Sequence, residues 1–158
     1  MARSPYLSDM LNALLDLFAA PDTRPNLTAE DERLALATLL VRVAKADEHY
    51  HAAERREISE VLRNHFNLDG SEIGSIVSEA EELEAKAPDT VRFTRIVKDA
   101  VPYEERAWVM EALWRVALAD GARDYEEDSQ LRLMANLLGV NDRDSGLARQ
   151  RVISQKIV

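Results

Sequence analysis

A short pattern occurs twice in the chain, at an offset of 73 residues, and this repeat restricts the fold more than any other sequence feature. The shared positions are an Arg-Val-Ala triplet, an Ala-Asp pair and a glutamate, at Arg42–Ala44, Ala46–Asp47 and Glu54, and at Arg115–Ala117, Ala119–Asp120 and Glu127. An aliphatic residue follows each glutamate four positions later. One helix–loop–helix unit cannot bury its apolar face alone, so the repeat predicts two units packed about a pseudo-twofold axis.

Apolar residues at helical spacing predict an all-α single domain of about seven to eight helices. Proline, glycine and N-capping residues mark the helix ends. The predicted helices are Pro5 to Ala20, Thr28 to Ala46, Ala52 to about Asn64, Asp69 or Ser71 to Glu84, Thr90 to Ala100, one beginning at Pro102, Glu126 to Leu138 before a C′ Gly139, and a weakly amphipathic tail from Arg143. The predicted organisation is an N-terminal helix and loop at 1–27, a repeat-containing helical domain at 28–140, and a tail helix at 141–158 packing on it.

The composition restricts the partners. The net charge of -9 repels phosphate backbones, which argues against nucleic acid and favours a basic protein surface as partner. The sequence contains no cysteine, which excludes disulfides and thiolate metal sites. No apolar run is long enough for insertion into a membrane, and no signal peptide is recognisable, so a cytoplasmic location is expected.

Asp47 and Asp120 follow the ends of predicted helices, where the partial negative charge of the helix C-terminus is unfavourable for a carboxylate. Such a carboxylate needs compensation from hydrogen-bond donors or from a cation. One interpretation is that each aspartate accepts hydrogen bonds from loop N–H groups and shapes the turn, which is the commoner role of loop aspartates. The other is that Asp47, Glu54, Asp120 and Glu127 ligate a divalent cation such as calcium or magnesium.

Neither loop is an EF-hand, because the ladder of oxygen ligands fails in both. Counting from Asp120, the third and twelfth positions are Ala122 and Leu131. Counting from Asp47, they are His49 and Ile58. Any cation site in these loops is therefore irregular.

Two histidines distinguish the first loop. His49 and His51, together with Asp47, Glu48 and Glu54, form a nitrogen and oxygen set suited to zinc or nickel. The second copy has no equivalent, and solvated histidines explain the pattern as well. His65 is interpreted as a surface or helix-end residue.

An acidic run follows on the next predicted helix. Its members are Glu79, Glu81, Glu82 and Glu84. The run is interpreted as a solvated helix face, or as a docking surface for a basic partner. Trp108 and Trp114 are interpreted as core or interhelical packing residues in preference to a stacking platform.

Two stretches, LLVRVAKADEHYHAAERREISEVL and ALWRVALADGARDYEEDSQLRLMANLLGV, resemble the signature segments of the tellurite-resistance TerB family. The resemblance extends from about Glu30 to Val140. The second copy keeps the family's Ala-Asp-Gly and spaced Glu, whereas the first has Glu48 in place of the glycine. The resemblance implies an intracellular bacterial all-α domain with internal pseudo-symmetry, linked to tellurite resistance or stress responses. It also implies a protein partner, since related domains occur beside J-domain co-chaperones and in membrane-associated systems.

Three functions follow from these observations. The first is a non-enzymatic domain whose acidic loops bind a divalent cation (calcium, magnesium or zinc) and thereby tune a protein contact. The second is an interaction scaffold without a metal, in which Asp47 and Asp120 only shape turns. The third, a metal-dependent hydrolase, has the least support because no base or nucleophile is marked by the sequence.

Overall fold

A computed structural model of the protein describes residues 29–46, 50, 52–86, 90–119 and 125–157. This part of the chain is all-helical, as predicted, and contains seven α-helices, one short 3₁₀ helix and no strand. The helices are α1 (Ala29–Ala44), α2 (Ala52–Phe66), α3 (Gly70–Lys86), α4 (Thr90–Ala100), the 3₁₀ helix Tyr103–Glu105, α5 (Arg106–Ala117), α6 (Tyr125–Leu137) and α7 (Asp142–Ile157). The helix predicted over Pro5 to Ala20 lies outside the described residues.

Helix α1 lies at the centre of the fold. Every residue from 34 to 41 is at most 1% exposed, and this segment of the helix is apolar on all sides except for Thr38. The Thr38 hydroxyl is satisfied within the helix, where it donates to the Leu34 carbonyl at 2.7 Å. A helix that is hydrophobic all round must be covered on every face, and α1 packs against α2, α3, α4 and α5.

The most extensive helix pairs are α1 with α3 and α5 with α7. Helices α2 and α6 begin 73 residues apart, and α1 and α5 end 73 residues apart, which is the offset of the sequence repeat. We call residues 29–86 the first half and residues 103–157 the second half. A twofold axis relating the two halves stays a prediction.

The helix ends use equivalent devices in both halves. Asp69 and Asn141 cap α3 and α7, since their side-chain oxygens accept hydrogen bonds from the Glu72 and Asp144 amides at 2.9 and 2.7 Å. Positive-φ residues follow α2 and α6, namely Asn67 with φ 53° and Gly139 with φ 77°. The C′ role predicted for Gly139 is confirmed, and its neighbour Val140 donates to the Ala135 carbonyl at 2.8 Å.

The C-terminal helix α7 packs along α5. Ala148 and Val152 are buried, whereas Leu147 is exposed. The Trp114 indole N–H donates to the Ser145 hydroxyl at 3.2 Å, which satisfies two polar groups inside this contact. Among the described residues, none of the helices combines the length and the apolar character needed to cross a membrane.

Candidate functional site

The four predicted cation ligands are described to different extents. Asp47 and Asp120 lie outside the described residues, and only the backbone of Glu127 is described. Glu54 is described completely, and it is fully buried at the start of α2. Within the described ranges, no three His, Asp or Glu side chains come together in a way that could hold a metal ion. The histidines of the first loop, His49 and His51, also lie outside these ranges.

Both repeated glutamates occupy the same helical position. Glu54 is the third residue of α2, and Glu127 is the third residue of α6. A carboxylate in the first turn interacts favourably with the partial positive charge of the helix N-terminus. A glutamate at this position can also accept a hydrogen bond from the N-cap amide, as in a capping box. The repeated glutamate can therefore stabilise the N-terminus of its helix in both copies.

The end of α1 and the first residue of the inter-helix segment 45–51 are bound to the end of α3. Arg42 Nη1 and Lys45 Nζ each lie 2.8 Å from a different carboxylate oxygen of Glu84. The Glu84 side chain is only 6% exposed. Burial raises the pKa of this carboxyl, but the hydrogen bonds from Lys45 and Arg42 outweigh it and hold the pKa below its ordinary value. Glu84 is therefore charged and connects the C-terminus of α1 to α3.

The residues after this loop are bound to the same helix. Arg55 donates two hydrogen bonds to Glu81, both at 3.3 Å. Tyr50 lies beside this pair, and burial together with the negative charge of Glu81 raises the pKa of its phenol. Helix α3 thus contacts the chain on both sides of residues 47–49, through Glu84 on one side and Glu81 on the other.

The interpretation of the acidic run as a solvated face is wrong for half of its members. Glu79 and Glu84 are buried, at 2% and 5% exposure. Glu81 and Glu82 are partly exposed, and Glu82 accepts a hydrogen bond from Lys86 at 2.9 Å. Two members of the run pair with residues outside α3, Glu84 with Arg42 and Lys45 and Glu81 with Arg55.

Arg115, which precedes the second inter-helix segment at residues 118–124, has a different partner. Arg115 matches Arg42 in the repeat, but the described residue that it contacts is Gln155 on α7, whose amide oxygen accepts its hydrogen bond. A neutral amide therefore stands in the second half where a buried carboxylate stands in the first. Arg115 and Gln155 also border a cleft of about 250 Å³ between α2 and α5.

Sequence reasoning missed Arg115, Glu84 and Gln155 as members of these sites. Glu84 was recognised only as part of an acidic run, and its partners are 39 and 42 residues away. The repeated Arg-Val-Ala triplet was the available signal, because it marks Arg42 and Arg115 as equivalent positions.

A family model described as "Tellurite resistance protein TerB" matches residues 33–150 of the chain. The match includes both inter-helix loops and most of the described helices. No curated protein and no solved structure shows a significant match.

Proposed function

The chain belongs to the TerB family, and on this premise we propose that it is a non-enzymatic helical binding domain whose acidic inter-helix loops bind a divalent cation and thereby tune a protein contact. Asp47 and Glu54 would supply oxygen ligands in the first loop, and Asp120 and Glu127 in the second. Carboxylate oxygens suit calcium and magnesium, while His49 and His51 would extend the first site to zinc.

The observation that carries this proposal is the burial of Glu54 beside the acidic first loop. Its side chain is fully removed from solvent, although it follows the loop by only a few residues. A carboxylate that is already desolvated and fixed on a helix loses little further freedom when it ligates a cation. The contacts of Glu84 and Glu81 support the proposal, since they attach Lys45 and Arg55, on either side of the loop, to α3.

Thermal unfolding with and without calcium, magnesium or zinc tests the proposal. A cation that binds only the native state at a hundred times its dissociation constant stabilises it by about 2.7 kcal/mol, so at least one ion should raise the Tm. Glu54→Gln should reduce that response. Glu57→Gln, on the same helix with an intermediate exposure, is the matched control and should keep it. If none of the ions at millimolar concentration shifts the wild-type Tm, the cation-binding proposal fails.

The shared third-residue position of Glu54 and Glu127 favours a second candidate, an interaction scaffold without a metal. In that function the repeated Asp and Glu only shape the loops and cap the helices. Asp120→Asn would then change stability slightly and would leave the response to divalent ions unaltered. The two candidates are separated by whether Asp120→Asn lowers a cation response that the wild type shows.

A further inference from the structure

A cleft of about 250 Å³ lies between α2 and α5, on the surface that also meets the end of α7. Helix α2 contributes Asn64 and His65, and α5 contributes Trp108, Glu111 and Arg115. Gln155 of α7 lies at the edge. The lining combines aromatic rings with several convergent polar groups, which is the composition of small-molecule sites.

Arg115 contributes a positive charge to this cleft. Among the described residues it makes no ion pair, and its hydrogen bond goes to the neutral amide of Gln155. The nearby carboxylate of Glu111 pairs with Arg151 instead, at 2.8 Å. The guanidinium fork of Arg115 is suited to a carboxylate, which it can bind with two parallel hydrogen bonds.

An aromatic wall stands beside this charge. The His65 and Trp108 rings are stacked, with centroids 3.4 Å apart and planes inclined by 20°. Phe66 packs edge-on against His65 with its centroid 4.8 Å away, which supports the stack from one side. The inner faces of the two rings cover each other, so a ligand in the cleft would contact the ring edges or an outer face of this wall.

We infer that this cleft binds a small aromatic monocarboxylate, with its carboxylate on Arg115 and its ring against His65 and Trp108. The side-chain amides of Asn64 and Gln155 supply further donors for the carboxylate. The volume is below the range of about 300–1,000 Å³ that holds drug-sized ligands, so a single ring is the appropriate size. The net charge of -9 opposes multiply charged anions, which favours a carboxylate over a phosphate.

Benzoate is the probe for this inference, with binding followed by NMR of the ¹⁵N-labelled full chain. The two tryptophans give a signal and an internal reference. The Trp108 indole N–H should shift on titration, because this ring lines the cleft. The Trp114 indole N–H is buried and bonded to Ser145, so its signal should stay in place. Benzamide lacks the charge and acetate lacks the ring, and both should bind more weakly than benzoate.

Arg115→Gln should weaken benzoate binding by about tenfold to a hundredfold, which corresponds to losing a charge-assisted hydrogen bond. Arg132→Gln removes the same charge from an exposed site on α6 outside the cleft and should leave binding unchanged. If the Trp114 indole signal has the same position in Arg115→Gln as in the wild type, the core of the variant is intact. The inference is overturned if benzoate leaves the Trp108 signal unmoved, if benzamide binds as well as benzoate, or if the Arg115→Gln variant retains wild-type affinity.

Discussion

The two halves of the molecule place equivalent arginines in opposite electrostatic settings. Arg42 in the first half shares the buried carboxylate of Glu84 with Lys45. Arg115 in the second half contacts the amide of Gln155 and borders an open cleft. The same pair of helices, first and third in each half, thus forms ion pairs to a buried carboxylate in one case and a hydrogen bond to a neutral amide beside a cleft in the other.

The features that the halves share are those that build the helices. Leu40 and Leu113 occupy equivalent repeat positions, and both are fully buried. The third helix of each half has a side-chain cap, and the second helix of each half is followed by a positive-φ residue. The core and the helix caps define the fold. The residues at the contact between the first and third helices can therefore differ between the two halves.

The largest expected effect tests the shared core. Leu40→Ala and Leu113→Ala should each lower the free energy of unfolding by about 3–4 kcal/mol, because each removes a fully buried side chain and leaves a cavity. Chemical denaturation of both variants measures the two losses. A difference of more than about 2 kcal/mol between them would show that the halves do not share the core equally.

The next effect tests the difference between the halves. Glu84→Gln gives the first half a neutral amide like that of the second, and it removes the carboxylate that Arg42 and Lys45 share. We expect a loss of about 2–3 kcal/mol, below the full value for a buried pair because both cations are partly exposed.

Gln155→Glu is the reverse exchange in the second half. Gln155 is exposed, so the new carboxylate should change stability by less than about 1 kcal/mol. It should also weaken benzoate binding, since it neutralises Arg115. If Glu84→Gln and Gln155→Glu change the free energy of unfolding by equal and opposite amounts, the contact at buried Glu84 and the contact at exposed Gln155 do not differ as described.

The stability contribution of Glu84 should depend on pH. The pKa of this carboxyl is held below its ordinary value of 4.5 in the folded state, so folding favours the charged form. Its contribution is fully present above pH 4.5 and is lost as the pH falls through the folded-state pKa. As the pH is lowered through this acidic range, the free energy of unfolding, measured by chemical denaturation, should therefore fall less steeply for Glu84→Gln than for the wild type. Glu60→Gln, in an exposed pair with Arg63, should keep the wild-type slope.

The smallest expected effect compares the two helix ends. Asn67→Gly should change the free energy of unfolding by less than about 1 kcal/mol, because asparagine tolerates the left-handed conformation almost as well as glycine. Gly139→Ala should cost about 1 kcal/mol for conformational reasons. The added Cβ would meet the nearest atom, Arg106 Nη1, at an ordinary 3.5 Å. If thermal melts show that Asn67→Gly lowers the stability more than Gly139→Ala does, the ends of α2 and α6 are not equivalent.

Sequence reasoning predicted the helices because their signals are local. The spacing of apolar residues identified α1 to α6, and Gly139 and Asp69 marked helix ends through their own backbone and side-chain chemistry. The tail was harder, because α7 buries small residues such as Ala148 and uses Ser145 to contact Trp114.

The candidate sites were less predictable because they depend on contacts between distant segments. Glu84 looks like its acidic neighbours along the helix, and only the packing of α3 on α1 makes it a buried ion-pair partner. Arg115 looks like Arg42, and only the neutral Gln155 on α7 changes its setting. The binding of a cation at Asp47, Glu54, Asp120 and Glu127 stays a prediction.

The all-round burial of α1 determines how the protein can be divided. Its apolar faces are covered by α2 and α3 from its own half and by α4 and α5 from the rest of the chain. A fragment that ends after α3 would expose the α1 surface that α4 and α5 cover, and such surface drives association instead of independent folding. Although the sequence repeats, the cooperative folding unit is therefore expected to extend beyond the first half.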